Sequence, residues 1–156
     1  MKRSYFKQKP RKTMKRSPLR MRGVSDSSVL KEQGQAVLRQ VVIARDGGCI
    51  LREYPETGKC GPRKANGELV LQAEHLNSRS HAVSFLDSRL AVCLCQRHHI
   101  YWKPQNSARY WEIVEGEIGP KRWELFKKVR DDYRAHKVDL KLELINLKNE
   151  LKELTK

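Results

Sequence analysis

The chain has 156 residues, of which 38% are hydrophobic, and its formal net charge is +15. This length allows one domain with extensions around a small core. No apolar run approaches the roughly 18 residues of a membrane span, and the basic N-terminus lacks the apolar segment of a signal peptide. These features argue against a transmembrane or secreted protein, so we expect the chain in the cytoplasm.

The first 22 residues form a basic segment, which holds ten of the 33 lysines and arginines and no acidic residue. Because like charges repel and two prolines interrupt the segment, it cannot bury enough apolar surface to fold alone, and residues 1–24 are predicted to be a disordered tail. Such a tail would bind DNA phosphates through residues such as Lys15 and Arg16 and release counterions. The alternative is a solvated extension that keeps the protein soluble. A membrane-surface role lacks an amphipathic apolar face.

A helix is predicted after the tail, with N-cap candidates at residues 25–28 and an end at the two glycines 47 and 48. Its apolar residues recur at helical spacing and are Val29, Leu30, Ala36, Val37, Val41 and Ala44. This helix serves to bring the chain to Cys49 with a fixed end.

Four side chains have the spacing of zinc ligands. Cys95 and His98 form a Cys-x-x-His pair, and Cys49 and Cys60 can supply the two further donors of a tetrahedral site. In a cytosolic chain, cysteines interleaved with histidines favour metal binding over disulfides. The ten residues between Cys49 and Cys60 exceed the usual spacing of a zinc knuckle. The alternative is therefore that one of these two cysteines is only a buried small side chain.

Two strands and a helix are predicted around the later histidines. Residues 68–74 form the first strand, which delivers His75 at its end, and residues 90–94 form a second, buried strand. A helix then starts at Cys95, and Pro104 ends its first short stretch. Neighbouring helical residues point about 100° apart, so if His98 binds zinc, His99 faces a second centre with His75 and Glu74.

The rest of the chain is predicted to be helical. One helix starts at Ser107, a break covers residues 116–119, and Pro120 suits the first position of a new helix. A heptad seam follows, with leucines at 140, 144, 147, 151 and 154. Two heptads are marginal alone, so this seam either packs on the domain or forms a homodimer. The predicted units are therefore residues 1–24, 25–119 and 120–156.

These motifs resemble a known family. The segment that contains Glu74-His75, Phe85-Leu86-Asp87-Ser88-Arg89 and Cys95-x-x-His98-His99 is similar to the HNH, or ββα-metal, endonucleases, and most similar to the NinG/Rap group of phage recombination proteins. The basic N-terminus and the helical C-terminus fit the same group. The resemblance implies an α+β fold with a zinc-stapled HNH core, flanking helices, a long C-terminal helix and a disordered basic tail.

The resemblance also implies an activity. It is that of a phage-encoded, metal-dependent endonuclease that acts on branched DNA such as Holliday junctions and D-loops in the host cytoplasm. Two positions depart from the family. Leu90 stands where the family has its middle asparagine, which helps to hold the loop after the first histidine, and His98 replaces a more usual cysteine. Cys93 falls where the family needs no ligand, and we expect a buried bystander rather than a rival to Cys95.

The chemistry of phosphodiester hydrolysis assigns roles to these residues. His75 is the candidate general base, because an imidazole can deprotonate water near neutral pH. His99 and Glu74 are candidate ligands of a catalytic Mg²⁺ or Mn²⁺, although strand alternation points Glu74 away from the base unless the backbone bends. The remaining candidates are DNA-binding residues: Arg79, His81, Arg89 and Arg97. A structural role for His81 is an equal alternative.

Two classes of function follow. The first is a junction-cleaving endonuclease, which the retention of both His75 and His99 favours. The second is a zinc-dependent DNA-binding recombination accessory protein that does not cut, which Leu90 favours. RNA binding through the tail is a third interpretation, but no stacking platform or RNA motif supports it.

Overall fold

The computed structural model describes residues 26–77, 84–132 and 138–156. It contains helices and one small two-stranded sheet, which confirms the predicted mixed class. In chain order the elements are α1 (Asp26–Asp46), β1 (Leu71–His75), β2 (Ala91–Cys95), α2 (Lys103–Gln105), α3 (Ser107–Asp131) and α4 (Leu140–Leu154). A π-helix, His98–Trp102, leads from β2 to α2. The predicted DNA-binding residues Lys15, Arg16, Arg79 and His81 lie outside the described residues.

Helix α1 has the predicted extent. Asp26 places a negative charge in its first turn, where it interacts favourably with the helix dipole. Gly47 ends the helix with a φ of 63°, a left-handed conformation that glycine adopts without a steric penalty. Leu38, Val41 and Val42 on one face of α1 are fully buried, so the helix is fixed against the sheet.

The two strands pair antiparallel, from Leu71 opposite Cys95 to His75 opposite Ala91. The first strand starts three residues later than predicted, because Leu69 and Val70 bond instead to the loop at residues 62 and 63. The second strand also starts one residue late, since Leu90 belongs to a 3-10 turn that Asp87 caps through the Arg89 amide.

The sheet has a separate apolar cluster on each face. One cluster contains Cys49, Cys95 and Leu90 and extends to the aromatic side chains of α3. The other lies between the sheet, α1 and α4, and includes Leu38 and Cys93. Cys95, the last residue of β2, packs in a different cluster from Cys93, although residues two apart on a strand share a face.

The C-terminal helices follow the sequence prediction with two differences. Pro104 lies inside α2 rather than ending a helix, because proline is tolerated in the first turn, where its missing N–H is not needed. The break in α3 is confined to Gly119, with φ 73° and ψ 168°, and Pro120 starts the second half.

Helix α4 packs along α1 within the same chain. Leu144 and Leu147 are buried, and Leu140 and Leu151 pack against the cluster that contains Leu38. This is the intramolecular alternative for the heptad leucines, and a homodimer through α4 stays a prediction. In the part of the chain that the structure describes, each helix is too short or too polar to cross a membrane.

Candidate metal centre and the adjoining polar site

Cys49, Cys60, Cys95 and His98 come together, with their four ligand atoms all within 4.8 Å of one another. The His98 Nδ1 atom lies 3.2 Å from Cys49 Sγ and 3.8 Å from Cys60 Sγ. A tetrahedral zinc ion, with Zn–S near 2.3 Å and Zn–N near 2.1 Å, would hold its donors roughly 3.5–3.8 Å apart. Three thiols and one imidazole at this separation can hold a structural metal ion such as Zn²⁺.

Four separate pieces of backbone deliver these donors. Cys49 follows the glycine end of α1, Cys60 lies in the loop after two 3-10 turns, Cys95 ends β2, and His98 starts the π-helix. The long Cys49–Cys60 spacer is folded by these turns, Ile50–Glu53 and Pro55–Thr57, so its length does not prevent ligation.

Contacts to α3 and to the π-helix hold this spacer in place. The Tyr54 hydroxyl donates to Glu117 over 2.6 Å, and Arg109 donates to Glu56 over 2.7 Å. The guanidinium of Arg97 donates to the carbonyl of Lys59. The spacer is therefore anchored from outside as well as through its two cysteines.

A backbone carbonyl group orients the imidazole of His98 through the ring nitrogen that faces away from the cysteines. Its Nε2 atom lies 3.2 Å from the carbonyl oxygen of Thr57 and donates to it, which leaves the Nδ1 lone pair directed at the cysteines. A ligating histidine usually makes this second hydrogen bond, because it fixes the ring tautomer and orientation. Thr57 is in turn held by its own hydroxyl, which donates to Leu51 O over 2.9 Å.

The electrostatics of the group also suit a bound cation. Burial raises the pKa of the Cys49 thiol far above its ordinary value. A hydrogen bond from the Cys95 backbone lowers this pKa, while the charges of the Cys95 and Cys60 side chains raise it. Burial and Cys95 likewise raise the pKa of Cys60, while burial lowers the pKa of His98. Three adjacent thiolates repel one another, and a metal dication removes that repulsion by binding all of them.

Cys93 lies outside the metal group, as expected of a bystander. It packs with Ala91 and Leu38 on the α1 face of the sheet. Burial and the nearby Asp46 carboxylate raise the pKa of Cys93 to about 12, so the thiol stays protonated and inert. Asp46 also accepts the Cys93 backbone amide over 2.8 Å, which ties the end of α1 to β2.

His99 lies beside the metal group and not in it. Its Nδ1 atom contacts one carboxylate oxygen of Glu74, and the Lys103 ammonium contacts the other. The Glu74 side chain is 7% exposed, and the His99 and Lys103 side chains are each 28% exposed. Below Lys103 lies the Tyr110 ring, 5.2 Å from the ammonium to the ring centroid. The structure thus brings together Glu74 and His99, two of the three residues predicted to form a second centre.

His75 points to the other face of the sheet. Its Nε2 atom lies 3.1 Å from Phe85 O and 3.4 Å from the Gln35 amide nitrogen of α1, and its ring stacks on Phe85 at 6.2 Å. Adjacent strand residues point to opposite faces, and no bend at the end of β1 alters this for Glu74 and His75. Among the described residues, only the metal group of Cys49, Cys60, Cys95 and His98 brings three or more histidine, cysteine or carboxylate donors together.

Leu90 contacts the residue that follows His75. Leu90 is fully buried, and its carbonyl accepts the backbone amide of Leu76 over 2.9 Å. The two leucine side chains belong to the same apolar cluster. Backbone bonding and apolar packing at Leu90 therefore hold the residue that follows His75.

Two predicted DNA-binding arginines make contacts within the protein. Arg89 pairs with Asp87 over 2.8 Å and keeps a side chain that is 64% exposed. Arg97 is exposed and donates to Lys59 O. Their role in DNA binding stays a prediction.

Sequence reasoning missed Lys103 and Tyr110. Lys103 follows His99 by four residues, and residues four apart share a helix face, so this spacing could have indicated that both reach Glu74. No spacing in the sequence indicated that Tyr110 lies beside this site. Burial, then the charges of Glu74 and Cys49, raise the pKa of Tyr110 well above its ordinary value. Its hydroxyl has no hydrogen-bond partner among the described residues.

Comparisons with protein-family models, with curated proteins and with solved structures found no match to this chain.

Proposed function

We propose that this protein is a metal-dependent endonuclease that hydrolyses phosphodiesters in branched DNA such as Holliday junctions and D-loops. The observation that carries the proposal is the separation of two adjacent histidines: His98 lies in the cysteine group, and His99 lies against the Glu74 carboxylate. The second imidazole and the buried carboxylate place a nitrogen and an oxygen donor side by side, as a divalent ion site requires. The net charge of +15 supports a polyanionic substrate.

In this proposal Glu74 and His99 hold a Mg²⁺ or Mn²⁺ ion. Mg²⁺ is usually bound through one or two protein ligands and completes its shell with water and substrate phosphate oxygens, so a carboxylate and an imidazole suffice. The ion would supply Lewis-acid stabilisation of the phosphate and the leaving oxygen. His75 would accept the proton of the attacking water. Because it lies on the opposite face of the sheet from Glu74, this role requires the end of β1 to bend and His75 Nε2 to exchange the Phe85 carbonyl for water.

A second function has specific support. In a zinc-dependent DNA-binding accessory protein that does not cut, the Glu74 carboxylate would be a structural partner of Lys103, which already contacts one of its oxygens. The position of His75 on the opposite face from Glu74, and Leu90 in place of asparagine, favour the same alternative. Homodimer formation through α4 would be compatible with either function.

Incubation with a labelled four-way junction separates the two functions. We expect the full chain to cleave the junction when Mg²⁺ or Mn²⁺ is present, and His75→Ala to lose cleavage while it keeps its zinc and its affinity for the junction. Tight binding with no cleavage in either ion would reject the endonuclease. The matched control is His136→Ala, which changes the one histidine that belongs to no predicted site.

Deletion of residues 1–22 is expected to weaken DNA binding and to flatten its salt dependence. The slope of log affinity against log salt should decrease by about 0.9 for each phosphate contact that the ten basic residues make on duplex DNA. Fluorescence anisotropy at several salt concentrations measures the slope. A full-length variant with these residues changed to glutamine controls for chain length, and a wild-type slope in both variants would contradict the prediction.

A further inference from the structure

The spacer between Cys49 and Cys60 forms one wall of a cleft that is lined by positively charged side chains. The cleft has a volume of about 590 Å³, and Arg52, Lys59 and Arg63 line it together with Tyr54, Cys60 and Leu69. Its lining includes three cationic side chains and no acidic one. By contrast, the cavity between α4 and the turn before β2 contains the carboxylates of Asp87, Glu143 and Glu150.

Neutral acceptors position the two arginines of the cleft. Arg52 donates to Gly47 O over 2.6 Å, and Arg63 donates to Gly67 O over 2.7 Å. A carbonyl group orients a guanidinium without cancelling its charge, and each guanidinium has five N–H donors, so most remain available. Arg52 also pairs with Glu53, but that carboxylate is 77% exposed and water screens the pair.

The remaining cation of the cleft is Lys59. Its side chain is exposed, and within residues 26–77, 84–132 and 138–156 its ammonium has no ion pair. Its backbone is fixed, because its carbonyl accepts from Arg97 and its neighbour Cys60 belongs to the metal group. The zinc group, at both ends of the spacer, would therefore hold Arg52 and Lys59 at a set separation.

We propose that this cleft binds the phosphodiester backbone of DNA, away from the phosphate that is cleaved. Three cations in a lining that has no acidic side chain match a run of backbone phosphates. The two arginines, which carbonyl oxygens already orient, lose less side-chain entropy when they bind. The zinc group then has a second role, since it orders a DNA-binding surface besides stabilising the core. The inference rests on the proposed function only for the choice of DNA as the polyanion.

The test compares two variants that remove the same charge. One is the triple variant Arg52→Gln, Lys59→Gln, Arg63→Gln. The control is Lys141→Gln, Lys148→Gln, Lys152→Gln on the exposed side of α4. Anisotropy titrations of the full chain with a labelled four-way junction, without added Mg²⁺ or Mn²⁺, give the affinity and its salt slope. Bound zinc is quantified for each protein.

The cleft variant is expected to bind the junction at least tenfold more weakly, with a salt slope lower by about 2–3, as three lost phosphate contacts require. The control should keep the slope within about 0.5 of wild type, because its exposed lysines lie on α4, outside the lining of the proposed cleft. Equal slopes for the two variants would overturn the proposal. If the triple variant loses zinc, the single variant Lys59→Gln tests the proposal instead. Its salt slope is expected to be lower than that of the wild type by about 0.9.

Two further outcomes separate this proposal from the endonuclease. Cleavage by the wild type together with an unchanged slope in the cleft variant would reject the cleft and leave the enzyme standing. Binding that depends on the cleft without any cleavage would reject the enzyme and leave the cleft standing. A change in slope with single-stranded RNA but not with DNA would overturn the assignment to DNA.

Discussion

Removal of zinc is expected to abolish the cooperative thermal transition of this protein. The metal group joins the end of α1, the spacer, the end of β2 and the π-helix, and two of its cysteines lie in the apolar cluster under α3. Structural zinc contributes about 10–16 kcal/mol in zinc-finger peptides. The total free energy of unfolding of a domain is only about 5–15 kcal/mol, so loss of the zinc can remove most or all of it. Far-UV circular dichroism during heating, before and after chelation and after zinc is returned, measures the effect.

Cys93 and Cys95 provide a matched pair for this experiment. Both are fully buried on the same strand, but only Cys95 belongs to the metal group. Cys95→Ala should fail to retain zinc and should behave like the chelated protein. Cys93→Ala should retain one equivalent of zinc and lose about 1 kcal/mol, the cost of a small cavity. An unchanged melting curve after complete zinc removal, or full zinc retention by Cys95→Ala, would contradict the structural role.

The metal group was predictable from the sequence because ligand chemistry restricts it. A Cys-x-x-His pair needs two more soft donors, and Cys49 and Cys60 were available upstream. Choosing between Cys93 and Cys95 required only the spacing to His98. The spacing did not indicate how an unusually long spacer could close, since this depends on two 3-10 turns and on contacts from Tyr54 and Arg109 to distant residues.

The second polar site was less predictable, because it depends on which sheet face each residue meets. Alternation along β1 could indicate that Glu74 and His75 point to opposite faces, but not which face meets α1. That is decided by the packing of Cys93 against Leu38 of α1, a contact between distant parts of the chain. The His99–Glu74 pairing was predicted as a shared ion site. The contact with Lys103 depends on the π-helix, which carries His99 and leads directly into α2, where Lys103 is the first residue.

Replacement of Lys103 by methionine is expected to destabilise the protein by about 3 kcal/mol in the absence of divalent ions, because removing one partner leaves a buried charge uncompensated. Glu74 is the residue affected, since its side chain is only 7% exposed and would keep only the His99 contact. Chemical denaturation measures the change. The control is Lys127→Met: its pair with Glu124 is exposed, so its loss should cost under about 1 kcal/mol.

The same variant discriminates between the two roles of Glu74. If Glu74 and His99 bind a divalent ion, the ammonium of Lys103 on the other carboxylate oxygen repels that ion. Lys103→Met should therefore bind Mn²⁺ about tenfold more tightly and recover stability as Mn²⁺ is added. Glu74→Gln should show neither response, because its neutral amide is a poor ligand for a hard cation. If Mn²⁺ stabilises Lys103→Met no more than the Lys127→Met control, Glu74 is a structural partner of Lys103, and the non-cleaving DNA-binding protein becomes the better description.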